Sequence, residues 1–325
     1  MMKKENNKNL IFKMILILSS LMIFTSNLWL NMWIYLEINL ISFIFLLMNY
    51  KNYLFLESSL IYFLIQTMAS IILLFSLINS IIYLKFKNLM MFAIFLKMGI
   101  APLHYWLIMM VEMLNWIMIY ILLTWQKIAP LLLLNLYNNT KMLMIFLLLS
   151  MMIGSLMGIN YSSLKKIMAY SSINQLSWII ISLMYLNKLF KMYMCIYMYM
   201  MFFTIYCFQF FNLTFIYNIY ILKIDLYLMM VMFMNLLSLG GLPPFIGFYP
   251  KMMIINMLNN SMMMFFMIMF TLITLFYYIR MMQSTMMINM LKMNMIFKLK
   301  TNKLNLMIKL SLLSNLMLMM ILMIY

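Results

Sequence analysis

Long apolar runs separated by short polar clusters make up almost the whole chain. A helix of about 20 apolar residues crosses the roughly 30 Å hydrocarbon core of a bilayer. Runs of that kind recur near 10–26, 28–48, 57–79, 89–111, 114–137, 142–159, 167–186, 189–217, 226–258, 261–285 and 305–324. They lack the short alternating pattern of membrane barrel strands. The pattern therefore predicts an all-α polytopic membrane protein of about eleven transmembrane helices. The connecting segments are too short to fold alone, and the longest polar one, 286–304, links spans ten and eleven. The opening MMKKENNKNLIFKMILILSSLMIF has the charge-then-apolar form of a signal peptide. Its apolar run is long and no small-residue cleavage site follows, so it is expected to be a retained first helix.

Two spans carry helix breakers at membrane depth. LSLGGLPPFIGFYPK (237–251) holds Gly240, Gly241, Pro243 and Pro244 inside the segment 226–258. As one straight helix that segment would run roughly 50 Å, well beyond the hydrocarbon core. A break into two half-helices is expected, and irregular backbone persists at that depth only where it is buried in protein or lines a cavity. KMGIAPLHYW supplies a second break, with Gly99 and Pro102 in span four. The breaks lie five spans apart, an odd number, which gives the surrounding units opposite topology. Interrupted helices at matching positions of inverted repeats mark transport sites in secondary transporters. The expected organisation is a five-helix repeat over 1–140, its inverted counterpart over 141–285, and a polar link with a final helix over 286–325.

Composition agrees with a bilayer as solvent. The chain is 68% hydrophobic and 8% charged, whereas soluble domains carry about 25% charged residues. The formal charge of +17 reads as topology, and no nucleic-acid partner is expected. With eleven spans, the N-terminal side collects Lys3, Lys4, Lys8, Lys51, Lys165, Lys166, Lys223, Lys292, Lys298, Lys300 and Lys303. The opposite side collects Lys85, Lys87, Lys141, Lys188 and Lys191. The excess places the N-terminus, and the 286–304 link, on the positive-inside face, and the C-terminus opposite. Contacts with anionic lipids, cardiolipin among them, are expected of these lysines. Met occurs 50 times, against two Val (Val111, Val231) and one Arg (Arg280), which fits an A/T-rich gene read with a code in which ATA specifies methionine, as in animal mitochondria. The two cysteines, Cys195 and Cys207, lie twelve residues apart in one apolar run. With His104 the single histidine, neither bis-histidine haem ligation nor an iron–sulfur cysteine set is available within the chain. No metal site and no cofactor-binding motif is expected here.

Four charges stand where a membrane disfavours them. Glu37 lies mid-span in WIYLEINLISF, Lys97 in FLKMGIAPLHYW and Lys127 in LLTWQKIAPLLL, while Lys251 closes the second broken segment. Each costs about 2.5–3.5 kcal/mol at the bilayer centre on insertion scales, on the order of 10 kcal/mol together. Such residues face a bundle interior or a wet cavity. A structural ion pair locking helices together is one explanation; a proton or ion pathway is the other, and three lysines to one glutamate favour the pathway. His104 adds a polar group beside the first break. In YSSINQLSW, Ser171, Asn174 and Gln175 share one helical face by i, i+3, i+4 spacing, as pathway lining or as interhelical hydrogen-bond donors. Glu112 is expected at a span boundary.

These stretches, LEINLISFIFLL, KMGIAPLHYW, LNWIMIYILLTWQKIAPL, SSLKKIMAYSSINQLSWI, LLSLGGLPPFIGFYPK and TLITLFYYIR, resemble in order the subunit 2 family of mitochondrial NADH:ubiquinone oxidoreductase, respiratory complex I, in its insect or other invertebrate form. The resemblance runs from about residue 29 to 280. It implies an antiporter-like proton-pumping subunit of the inner-membrane arm, with its N-terminus in the matrix and its C-terminus in the intermembrane space. It implies that Glu37 and Lys97 form the charge pair of a first half-channel, that Lys127 is the central lysine and that Lys251 belongs to the second broken helix. It also implies that other membrane-arm and supernumerary subunits are partners, and that NADH, FMN, iron–sulfur clusters and ubiquinone are bound by other subunits. Where the family often carries histidine and glycine, this chain has Gln175 and Ser177. Proton transfer by coupled titration would follow: moving Glu37 relative to Lys97 changes the proton affinity of Lys97, which perturbs Lys127, and a proton passes toward Lys251. A free-standing cation/proton antiporter would use the same parts.

Overall fold

The computed structural model describes residues 2–50, 52–80, 86–135, 140–221, 226–258 and 260–291. The eleventh span, 305–324, lies outside the described residues. Everything regular among those described is helical, apart from an isolated β-bridge between Ser163 and Phe215. Among the described residues, seven helices are long and apolar enough to cross a membrane.

The chain folds as two compact units that meet in sequence between Phe146 and Leu147. In the first unit α1 (Met2–Thr25), α2 (Trp29–Met48) and α3 (Tyr53–Ser80) are continuous. Span four is broken as the glycine and proline require: α4 (Lys87–Met98) stops at Gly99, and α5 (Tyr105–Met113) resumes after a turn. Gly99 takes φ +69°, a left-handed conformation that closes helix ends and that side chains other than glycine adopt at a cost. Span five is helical but irregular. α6 (Trp116–Tyr120) passes into a π segment, Ile121–Trp125, and then into α7 (Gln126–Leu134). The wide turn is accompanied by a hydrogen bond from Thr124 Oγ1 to the Tyr120 carbonyl at 2.6 Å. Pro130 sits inside α7 and cannot donate to the carbonyl of Gln126. The segment immediately around Lys127 is thus the least regular part of this span.

The second unit opens in α8 (Thr140–Asn160), whose first residues belong to the first unit. α9 (Leu164–Tyr185) is almost wholly buried. It packs against α10 (Asn187–Phe210) and against α13 (Phe248–Met257). A helix with no lipid-facing stripe can carry polar residues on several faces, and YSSINQLSW lies on it. The apolar run 189–217 is not one helix: α10 ends at Phe210, Asn212 adopts φ +50°, and α11 (Ile216–Ile221) starts afresh. Asparagine tolerates that left-handed turn, and the intervening backbone pairs instead with the turn before α9, through Leu164 N–H to Thr214 O and Ile216 N–H to Ser162 O. Span nine breaks between α12 (Leu226–Gly240) and α13, and α14 (Ser261–Leu291) extends six residues into what the sequence reads as a polar link. Pro250, third in α13, falls in the first turn, where its missing N–H has no helical partner to lose. Both breaks contain a cis peptide bond, Ala101–Pro102 and Pro243–Pro244.

Candidate functional site

In the first unit the charged residues converge. Lys97 lies in the last turn of α4 and is 7% exposed; Lys127 lies on α7 and is 2% exposed. Glu37, on α2, brings Oε1 to 3.9 Å from Lys97 Nζ, and its side chain keeps 23% of its surface. That separation is the outer limit of an ion pair, so the contact is loose. Lys97 and Lys127 both line one cavity of about 20 Å³, large enough for a water molecule. Its polar wall also includes Asn39, Tyr62, Gln66 and Gln126. Tyr62 donates from its hydroxyl to Gln126 Oε1 at 3.2 Å. Neither end of the Asn39 amide, nor Gln126 Nε2, bonds to protein. These are the groups an enclosed water needs as partners, and a hydrogen-bonded water between two lysines is a means of passing a proton.

The four neutral side chains are the part of the site that sequence reasoning missed. Each is a lone amide or phenol in an apolar run: Asn39 two residues after Glu37, Gln66 in LIQTMAS, Gln126 next to Lys127, Tyr62 in SLIYFLI. The signal available was the amide itself, since a buried polar group demands a partner. His104 is half-buried beside the break, with Nδ1 3.2 Å from the Pro102 carbonyl; it does not line the cavity. Glu112 is exposed at the end of α5.

In the second unit Lys251 is 5% exposed. It lies in the first turn of α13, and its side chain reaches back to the end of α12, donating to the Gly240 carbonyl at 2.7 Å and standing 3.4 Å from the Leu239 carbonyl. Its Nζ is 5.8 Å from the centre of the Trp178 ring, within cation–π range. The break and the lysine therefore share one place. Residues 241–247 form turns, and the lysine side chain folds back across them to the end of α12. Gly241 has φ +80°, and a Cβ there would meet Lys251 Cδ and Nζ at 2.8 Å. Only glycine gives the lysine its seat.

Ser171, Asn174 and Gln175 are all buried on α9. Ser171 donates to the Met168 carbonyl within its own helix. Gln175 makes two contacts between elements, donating from Nε2 to the Leu239 carbonyl at 2.7 Å and accepting from the Tyr193 hydroxyl at 2.6 Å. Asn174 Oδ1 is buried without a protein donor. No cluster of three or more His, Cys, Asp or Glu side chains able to hold a metal ion exists among the described residues.

Residues 78–277 match the family described as NADH:quinone oxidoreductase/Mrp antiporter, transmembrane. The chain is 43% identical over 268 residues to NADH-ubiquinone oxidoreductase chain 2 of Anopheles gambiae, covering 79% of this chain and 78% of that protein. It is 42% identical over 269 residues to the same chain of Aedes aegypti, at the same coverage. A chain of the structure of respiratory complex I from Thermus thermophilus with bound aureothin superposes with a TM-score of 0.78, covering 86% of this chain and 70% of that one at 18% identity, which is a likeness of fold. By its matched transmembrane region and by its identity with these relatives over more than three-quarters of its length, the chain belongs to the NADH-ubiquinone oxidoreductase chain 2 family of the NADH:quinone oxidoreductase/Mrp antiporter membrane proteins.

Proposed function

We propose that this chain is the antiporter-like, proton-translocating membrane-arm subunit of a mitochondrial NADH:ubiquinone oxidoreductase. The observation that carries the reading is the first-unit cavity, where two buried lysines face one water-sized space and one of them stands 3.9 Å from a carboxylate. A group that loses or gains a proton in such a place changes the energy of its neighbour, because low-dielectric surroundings screen little. Displacing Glu37 from Lys97 alters the proton affinity of Lys97, and a water beside Lys127 completes the transfer. The energy to drive protons against the membrane potential, about 2.3 kcal/mol per charge per 100 mV, comes from electron transfer in other subunits, which bind NADH, FMN, iron–sulfur clusters and ubiquinone. The names of the relatives favour this assembly over a free-standing antiporter. Purification decides between them: the chain is expected only within a large complex, and an isolated, active chain would support the antiporter.

Glu37→Gln keeps the size of the side chain and removes the charge that modulates Lys97. It is expected to slow proton translocation by roughly two- to fivefold, about 0.5–1 kcal/mol, as suits a loose pair whose carboxylate is partly exposed. The test is pumping and quinone reduction in the assembled complex; unchanged rates would remove Glu37 from the route, and a complex that fails to assemble would mark the pair as a structural lock.

The helical order is read as two inverted repeats of five spans, 1–140 and 141–285, with an eleventh span after them. One glycine-and-proline break in span four and one in span nine support it. The lysine distribution supports an N-terminus in the matrix and a C-terminus in the intermembrane space, and cardiolipin suits the basic face. In mitoplasts, external protease is expected to spare the lysine-rich stretch 292–304; cleavage there would reverse the orientation.

A further inference from the structure

Both broken helices end in the same hydrogen-bonded form. At the first, Gly99 N–H donates to Leu96 O at 3.3 Å and Ile100 N–H to Phe95 O at 3.1 Å. At the second, Gly241 N–H is shared between Leu237 O at 3.0 Å and Ser238 O at 3.1 Å, and Leu242 N–H donates to Leu237 O at 3.4 Å. This pattern, closed by a left-handed glycine, satisfies two carbonyls and offers no backbone donor to the carbonyl two residues before the glycine. At membrane depth such a carbonyl needs a donor from elsewhere.

In the first unit that carbonyl belongs to Lys97, and Gln66 Nε2 on α3 donates to it at 3.3 Å. In the second it belongs to Leu239, and Gln175 Nε2 on α9 donates to it at 2.7 Å. Two glutamines from different helices thus serve the same position of the same motif. They stand on spans three and seven, which are not counterparts in the proposed repeats, so duplication alone does not account for the match. The orientation of the Gln175 amide follows from its partners: a carbonyl only accepts, so Nε2 faces Leu239 O and Oε1 takes the Tyr193 hydroxyl.

We propose that Gln175 is a positioning residue for Lys251, as Gln66 is for Lys97: each amide occupies the open carbonyl of a broken helix and so holds the lysine's seat in place. In the second unit the consequence is direct. With Gln175 bound to Leu239 O, Lys251 answers chiefly to the Gly240 carbonyl and can leave it. Without the amide, the Leu239 carbonyl draws on Lys251, whose Nζ already stands 3.4 Å away. A lysine held by two carbonyls leaves its seat less readily, and transfer slows. The inference rests on the reading that Lys251 carries protons.

The test uses the intact complex in proteoliposomes and reads assembly and the rate of proton translocation coupled to NADH oxidation. Gln175→Met keeps the length and removes the donor; translocation is expected to fall roughly fivefold with assembly retained, the worth of one hydrogen bond. Gln175→His restores an N–H and is expected to recover the rate to within roughly twofold. Tyr193→Phe releases the amide and is expected to lie between, and Lys251→Met is expected to stop translocation with Gln175→Met adding nothing to it. A native rate in Gln175→Met beside an inactive Lys251→Met would overturn the positioning role and leave the proton route standing. Failure of histidine to rescue would overturn the donor role. If Gln175→Met does not assemble, a native rate in Tyr193→Phe overturns the proposal. A native rate in Lys251→Met would overturn the route and the inference with it.

Discussion

Replacing Lys97 by methionine is expected to abolish proton translocation and also to weaken assembly, and the second effect is expected to be reversible by a second change. Removing one partner of a fully buried ion pair costs about 3–5 kcal/mol, because the other charge is left unpaired. Here the Glu37 side chain retains 23% of its surface and the contact is 3.9 Å, so about 1–2 kcal/mol is the appropriate scale. Adding Glu37→Gln removes the stranded carboxylate. The double variant is expected to assemble at close to the native level and still not translocate protons. Native gels and pumping assays on the single and double variants separate the two roles. If the double variant pumps as well as it assembles, the pair is a lock between α2 and α4 and nothing more.

The second large effect is expected at Gly241. Alanine there must adopt φ +80°, at a cost of about 1–2 kcal/mol for a left-handed residue with a Cβ. The added methyl also lands 2.8 Å from Lys251 Cδ and Nζ. The lysine must leave the Gly240 carbonyl or the turn must open. Gly241→Ala is therefore expected to behave as Lys251→Met does, with translocation lost and most of the complex still formed. Retained pumping in Gly241→Ala would show that the seat of Lys251 is not part of the route.

The breaks and the charged residues were legible because lipid leaves them few explanations. Gly99 with Pro102, and Gly240, Gly241, Pro243 and Pro244, stand out as clusters in a chain with six glycines and five prolines in all, and the structure breaks its helices there. The buried lysines were legible for the same reason. What the sequence concealed falls into two kinds. One is backbone register: the π segment at Ile121–Trp125 has no composition of its own. The end of α10 at Phe210 was hidden because the following residues stay apolar while pairing with the turn before α9. The other kind is partnership. Nothing in LIQTMAS says that Gln66 meets the carbonyl of Lys97, 31 positions away, and nothing near Lys251 says that its side chain turns back to α12. Those contacts depend on which helices become neighbours, and an all-apolar pattern leaves neighbours unspecified because most faces look alike.

Lys127 is the residue whose role bears most directly on proton translocation, since it is 2% exposed, lines the cavity with Lys97 and sits beside the irregular turn of span five. The decisive measurement is the rate of proton translocation coupled to NADH oxidation in assembled complex carrying Lys127→Met, reconstituted beside the native complex. The expected result is a fall of about a hundredfold or more, in the range that loss of a proton-transfer group produces, with assembly unchanged. Native translocation in that variant would contradict a proton route through the buried lysines of this chain.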